Sequence, residues 1–521
     1  MNHTRTILLL LLTGGFLIRA AGLATHPPAL NSDELLKVFD GASVYRTGMD
    51  HHGQSWPLFF KQSGEYSPPL YIYYAGLFST FFGINEYTTR LPSSLLGTLS
   101  ILMTFFFVQA FADRKTALIA AALAAVSPWN VHYSRIGWEA ILLAPLQLGG
   151  LWAFLRWTKN ERLRHLLASA SFWGLTIYAY PVARLSSTML MTALWIVYWK
   201  TVKRRPKQAA IAVGLFVLWL LPYLAVLSRN YQAMQARWNF VSVFNRGDGF
   251  VLFLKQYFMH LSPDFLFLRG NPNSLHQLAG GLALFVLLPF FFAGLVFLLR
   301  RRNKMDWILL AWFFTFPIPS SMTYDRFDPF SMPNPLRSIN GMPLLEIISA
   351  IGVVWILNRV KSQPWRRCAG KAIAALVIAN ALYIAYDAVF QYPARSAPVW
   401  QYGLREAVQF VDSQKEQYDR IVVSHKVRLH PVALACFTNY EPGPLEAEKF
   451  KKYVLPFPHY VRMYADFDNG YGRYGTAARW YTLARGRNLL VAAAGEIEAE
   501  PIKRIYYPDG SAAYEIFESD R

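Results

Sequence analysis

Two adjacent carboxylates, Asp33 and Glu34, stand in the run Asn31-Ser32-Asp33-Glu34, a few residues past an N-terminal apolar segment. An ionised carboxylate takes up a proton, holds a cation or accepts hydrogen bonds from a polar substrate. Unpaired acids beside a membrane are costly to hold, so the pair suits chemistry better than loop decoration. An N-cap or a solvated turn is the plain structural alternative. Arg135, Arg184 and Arg337 supply the opposite charge. Each falls at the external end of an apolar segment, where a buried guanidinium needs a partner and a bidentate phosphate contact provides one. Snorkelling or a structural ion pair would give the same placement. Arg90 suits a helix cap or a lipid headgroup, and Lys61 is a further cation in the same stretch as the carboxylates.

Other candidates carry less. His51 and His52 are metal-ligating types, but adjacent histidines diverge and no third ligand is evident, so a solvated loop is expected and no metal site is assigned. Glu139 follows Trp138 at the start of a helix, where the helix dipole favours an acid. Glu346 lies inside an apolar segment without an evident partner and is read as structural. Phe267-Leu-Arg-Gly-Asn-Pro-Asn-Ser274 is a turn-rich stretch that could shape an acceptor site.

The elements that must position these residues are membrane helices. Of 521 residues, 54% are hydrophobic and only 16% are charged, which indicates a polytopic membrane protein. Apolar segments run at 7–25, 91–111, 116–131, 138–155, 165–181, 184–199, 208–227, 277–299, 306–320, 338–358 and 372–390. Several fall short of the ~20 residues that cross a bilayer. The loops 113–115, 156–165, 200–207, 300–304 and 359–371 hold 20 basic residues against two acids, Asp113 and Glu161. With the N-terminus inside and eleven spans, every one of these loops is cytoplasmic. The net charge of +20 is thereby explained by topology. Nucleic-acid binding is not expected, because no basic stripe is interleaved with stacking aromatics on a soluble segment.

Pro69 to Ile84 is apolar enough to span, yet spanning would move all five basic loops outside. It is therefore expected to lie in the interface, with Tyr71, Tyr73 and Tyr74 at headgroup level. The expected domains are a membrane domain, 1–390, with an interfacial external loop, 26–90, and an extracytoplasmic α/β domain, 391–521. In the latter, a helical pattern at 403–416 alternates with β-rich runs at 420–424 and 512–517. Cys368 and Cys436 fall on opposite sides of the membrane and are not expected to pair.

The ordered motifs carry a resemblance. Asp33-Glu34, Ser67-Pro-Pro-Leu-Tyr-Ile-Tyr-Tyr74, Phe82-Gly-Ile-Asn-Glu86, Arg90-Leu-Pro-Ser93, Ser127-Pro-Trp129 with Ser134-Arg135, Tyr180-Pro-Val-Ala-Arg184, and Arg337 ahead of Pro343 resemble the protein O-mannosyltransferase and lipid A aminoarabinose transferase superfamily of C-type membrane glycosyltransferases. The resemblance covers roughly 5–360. It implies a helical membrane fold with interfacial helices in the first external loop. It also implies transfer of a sugar from a polyprenyl-phosphate donor to a glycan, lipid or protein acceptor, at the outer face of the cytoplasmic (inner) membrane. By resemblance, Asp33 is the general base and Glu34 orients it, binds sugar or holds a cation. Lys61, Arg90, Arg135, Arg184 and Arg337 are the candidate substrate-binding cations. No cofactor is assigned, although a divalent cation would suit the carboxylates. The aminoarabinose transferases carry a Lys immediately before Pro-Pro, where this chain has Tyr66 and Ser67. The folded insert of eukaryotic O-mannosyltransferases has no room in 228–276. A lipid-linked glycan transporter, and a polymerase or ligase using a lipid-diphosphate donor, are the alternative functions. Inverted repeats and broken helices expected of a transporter are not evident.

Overall fold

Pro and polar caps set where the helices stop. Asp113 accepts a hydrogen bond from Thr116 N (2.7 Å) and opens the Arg114–Val126 helix. That helix ends at Ser127, because Pro128 cannot continue it, and Ser127 then caps the short Pro128–Tyr133 helix. Asn303 and Asp306 form a capping box on Lys304–Thr315, with Arg301 paired to Asp306 at 2.6 Å. The computed structural model describes residues 2–62, 65–324, 332–455, 477–483 and 485–520. It divides into two compact units, one of 1–21 with 90–389 and one of 22–89 with 390–521.

The first unit is helical. Among the described residues, five helices are long and apolar enough to cross a membrane: Glu86–Phe111, Glu139–Asn160, Pro206–Arg229, Ile339–Arg359 and Gln363–Ser396. The other expected segments contain Asn2–Ala20, Arg114–Val126, Leu163–Thr176, Ala183–Val197, Leu288–Arg301 and Lys304–Thr315. Most of these are shorter than the ~20 residues needed for a straight crossing. Boundaries shift where turn residues intervene. The segment expected at 116–131 breaks at Ser127-Pro128, and the one expected at 277–299 becomes helical only from Phe285. Leu288–Arg301 and Leu344–Arg359 meet backbone to backbone. A Cβ on Gly294 or Gly352 would collide with the Ile348 or Phe290 carbonyl, so glycine sets the helix spacing there.

The second unit joins residues 22–89 to the C-terminal α/β part. This differs from the sequence division, which placed 26–90 with the membrane helices, and the reason is a shared apolar core. Leu35, Leu36 and Phe39 of the Ser32–Thr47 helix pack with Val408, Val411, Ile421, Val432, Leu489 and Ile516. Strands β1 (Phe60–Gln62) and β2 (Glu65–Ser67) form a hairpin. Strands β3 (Arg420–Val423), β4 (Tyr453–Val454), β5 (Arg487–Ala493), β6 (Lys503–Tyr506) and β7 (Ala512–Asp520) form one sheet in the order β4-β3-β5-β7-β6. β3 is parallel to β4 and β5, whereas β7 is antiparallel to β5 and β6. Alternation fills both faces. Ile421, Val423, Leu489 and Val491 face the core shared with the Ser32–Thr47 helix, while Val422, Leu490 and Phe517 pack with Ile497 and Tyr481.

The Ser32–Thr47 and Pro69–Phe82 helices cross at Gly41 and Gly76, where a Cβ on either glycine would strike the other backbone. Pro69–Phe82 is thus a helix docked on Ser32–Thr47 within the second unit. Its tyrosines do not share one role. Tyr71 is fully buried and its hydroxyl donates to Thr89 O (3.2 Å), which corrects its expected headgroup position, while Tyr73 and Tyr74 are only half-buried.

Candidate active site

The carboxylate pair sits on a helix start built by its own sequence. Asn31 is the N-cap. Its side chain accepts from Glu34 N (2.9 Å), and Glu34 Oε2 accepts from Asn31 N (3.2 Å), a capping box. Glu34 is fully buried by this arrangement, whereas Asp33 is exposed. The two acids therefore differ in setting: Glu34 takes part in the capping box, and Asp33 is exposed in the first turn, where the helix dipole favours the anion.

Two turns along the same helix lies a feature that the sequence reading missed. Asp40 is fully buried. Its Oδ1 accepts from His51 Nδ1 (2.5 Å) and from His51 N (3.0 Å), and its Oδ2 accepts from Gln62 Nε2 (2.6 Å). Burial by itself raises the Asp40 carboxyl, but the His51 charge and the His51 and Gln62 hydrogen bonds outweigh it and hold the group below its ordinary range. Asp50 ties the intervening turn by accepting from His52 N (2.9 Å) and Gln54 N (2.8 Å). The His51 and His52 rings lie 3.9 Å apart, and His51 O accepts from Leu445 N (3.0 Å). The solvated histidine loop expected from sequence is instead a packed turn. Spacing gives no hint of this, because Asp40 and His51 meet only after the chain reverses at Asp50–Gly53.

Lys61 stands on β1 opposite Tyr66, where its charge bears on His52. His52 is pushed down to about 4, first by burial and then by the His51 charge, and burial pushes His430 down to about 3. Both values lie below the ~6.5 of an unfolded histidine, so stability from the neutral rings is full above that pH and is lost as pH falls towards 4. Asp40 has the same sign at lower pH, while Asp50, raised first by burial, opposes it. Hydrogen-exchange protection across 32–62 is accordingly expected to fall between pH 6.5 and 4. A His52→Gln substitution should flatten that dependence, and protection unchanged over this range would contradict the buried cluster.

An aromatic group borders the same unit. Trp56 stacks on Tyr73 (6.2 Å between ring centres, 9° between planes), with Tyr45 edge-on to both, and Trp56 is 58% exposed. Such a face suits an apolar sugar ring or the membrane interface.

The arginines belong to the helical unit. Arg135 is half-buried and donates to the carbonyls of Ile18 (2.8 Å) and Arg19 (3.2 Å). Burial first, and the Arg90 charge second, lower Arg135 to about 10. Arg90 itself is fully buried, at the head of the long Glu86–Phe111 helix. A third arginine beside them, Arg19, gave no sequence signal beyond its place at the end of the first apolar segment. Its guanidinium donates to Asn130 Oδ1 (2.7 Å), Ala125 O (2.9 Å) and Gly15 O (2.9 Å), which explains a fully buried cation. Arg184 is elsewhere, opening the Ala183–Val197 helix with its guanidinium 4.7 Å from the Tyr223 ring centre. Arg337 donates to Thr323 Oγ1 (3.0 Å), and its charge bears on His260 and His276. His260 accepts at Nε2 from Asn334 N (3.2 Å) and donates from Nδ1 to Gln256 O (2.7 Å), a neutral tautomer consistent with its fall to about 4 through burial. Thus Arg90 and Arg135 are brought together, while Arg184 and Arg337 have separate settings. Glu139 lies in the turn leading into the Leu143–Asn160 helix, and Glu346 is fully buried near the start of Leu344–Arg359. Among the described residues, no group of three or more His, Cys, Asp or Glu side chains is arranged to hold a metal ion.

Residues 66–227 match the family described as dolichyl-phosphate-mannose-protein mannosyltransferase. No curated protein matches the sequence significantly. Among solved structures, ArnT from Cupriavidus metallidurans in the apo state aligns with a TM-score of 0.59 at 11% identity, over 98% of this chain and 97% of that one. The same protein bound to undecaprenyl phosphate gives 0.58 at 12%, over 99% and 98%. The Archaeoglobus fulgidus oligosaccharyltransferase in the apo form gives 0.52 at 13%, over 94% and 69%. At these identities the likeness is one of fold.

Proposed function

We propose, from a family match over residues 66–227 and a fold like that of ArnT, that this chain is a C-type membrane glycosyltransferase that moves a sugar from a polyprenyl-monophosphate carrier to an acceptor hydroxyl at the outer face of the cytoplasmic membrane. The observation that carries the reading is Asp33: an exposed carboxylate in the first turn of a buried, boxed helix, in a chain whose fold matches a protein crystallised with undecaprenyl phosphate. Asp33 takes the proton of the acceptor hydroxyl as its oxygen attacks the anomeric carbon. The bond from that carbon to the phosphate oxygen breaks on the opposite side, and the configuration inverts. Positive charge develops on the sugar and negative charge on the departing phosphate, which the arginines of the helical unit offset, Arg135 and Arg184 foremost. Asp40 and His51 act through packing, by holding the helix that carries Asp33.

The reading requires the N-terminus inside and both Asp33 and the C-terminal α/β part outside. Single cysteines at the exposed positions Arg204 and Gln54 are expected to label from the cytoplasmic and external faces respectively. Labelling of position 204 from outside would reverse the topology and remove the proposed mechanism with it.

A further inference from the structure

Three helices of the membrane unit, Leu163–Thr176, Ala183–Val197 and Pro206–Arg229, enclose a groove of about 530 Å³. Trp173, Trp195, Ile196, Trp199, Val213 and Phe216 supply half of its lining residues, and Ser169 and Thr192 are the side chains there that carry hydroxyls. From Leu166 to Trp173 the groove follows the helix for ~10 Å at 1.5 Å per residue, within the ~15 Å half-thickness of a bilayer's hydrocarbon. One wall, Pro206–Arg229, is almost wholly unburied along its apolar length, so the groove lies at the lipid-facing edge of the unit. Ile196 and Trp199 are themselves exposed at 69% and 56%.

The charge lies at one end. Arg162 and Arg164 open the first of these helices, Lys200, Lys203 and Arg204 follow the second, and Lys207 begins the third, all of them exposed. The acid beside them, Glu161, is paired with Arg205. An apolar slot one leaflet deep, with tryptophans towards a rim of cations, has the chemistry of a phospholipid: acyl chain in the slot, anionic headgroup on the rim.

We infer that this groove is a binding site for an anionic diacyl phospholipid, seated with one acyl chain among Trp173, Trp195 and Phe216 and its headgroup among Arg164, Lys200 and Lys203. The inference does not depend on the catalytic reading, because the rim and the slot are features of these three helices alone. A zwitterionic lipid would lack the charge match. A polyprenyl phosphate shares the anionic headgroup but has a single chain, and competition distinguishes it.

The test is native mass spectrometry of the full-length protein in mixed micelles. The probes are dioleoyl-phosphatidylglycerol, dioleoyl-phosphatidylcholine or undecaprenyl phosphate. Phosphatidylglycerol is expected to be retained at least about tenfold better than phosphatidylcholine, in line with several cations near a headgroup. Thr192→Trp, which fills the slot without touching the charge, should remove that retention. The exposed double substitution Lys203→Gln/Arg204→Gln should lower it severalfold while leaving the slot intact, and does so even if the filled groove disturbs folding. Equal retention of both phospholipids, indifference to both variants, or displacement of phosphatidylglycerol by undecaprenyl phosphate would each overturn the assignment.

Discussion

Purified Asp33→Asn protein is expected to fold and insert normally and to lose transfer by ~10²–10⁴-fold, the usual worth of a general base. Asp33 is exposed, and the side-chain hydrogen bonds of the helix start belong to Asn31 and Glu34, so the substitution removes a proton acceptor and little else. Two neighbouring substitutions separate chemistry from scaffolding. Glu34→Gln keeps an acceptor for Asn31 N, preserves the capping box and should be much milder. Asp40→Asn should act through stability, because it replaces a buried carboxylate that takes two bonds from His51 and one from Gln62. Near-normal turnover by Asp33→Asn would remove Asp33 as the base. A fall in turnover that tracks a fall in stability would reduce it to a structural residue.

The second large effect is expected at the cations. If Arg135 grips donor phosphate, Arg135→Ala should weaken donor use by about 2–5 kcal/mol, the range found when one partner of a buried, hydrogen-bonded charge pair is removed. Arg135 also anchors the Ile18 and Arg19 carbonyls, so alanine confounds two losses. Arg135→Lys retains a charge but not the planar fork, and should fall between the two. Arg184→Ala removes a guanidinium that rests on Tyr223, and if both arginines hold the same phosphate the double variant should lose less than the sum of the two single defects. The readout is the apparent affinity for the lipid-linked donor at a fixed acceptor concentration. Wild-type affinity in both alanine variants would leave phosphate recognition to other residues.

What could be read without coordinates follows the range of each interaction. Helix positions follow from apolar runs, whereas ends set by local caps and breakers such as Asp113, Ser127-Pro128 and Asn303 appear only in the structure, as the break of the 116–131 segment at Ser127-Pro128 illustrates. The α/β character of the C-terminal part follows from the β-rich runs at 420–424 and 512–517, yet β5, the strand between β3 and β7 in the sheet, goes unmarked because Arg487–Ala493 is as apolar as a buried helix turn. Asp33 was visible by its place in an ordered set of motifs. Asp40 was not, since its partners lie 11 and 22 residues away, across a turn and on a strand. The same limit hid Arg19, whose acceptors Ala125 and Asn130 are more than 100 positions along the chain. The grouping of 22–89 with 390–521 is the longest-range feature of all, and only the shared core of Leu36, Phe39, Val432 and Ile516 reveals it.

The donor distinguishes this account from every nucleotide-sugar mechanism. A nucleotide sugar needs a folded site for its diphosphate, commonly a strand–loop–helix unit. The longest loop assigned to the cytoplasm, 359–371, was already too short for one, and Leu344–Arg359 and Gln363–Tyr386 leave only residues 360–362 between them. The most direct measurement is turnover by the purified protein in detergent or vesicles with a matched pair of donors, a polyprenyl-monophosphate sugar and the corresponding nucleotide sugar. Transfer from the lipid-linked donor, abolished by Asp33→Asn, and none from the nucleotide sugar is the predicted result. Efficient transfer from the nucleotide sugar with no lipid carrier present would contradict both the donor class and the outward-facing site.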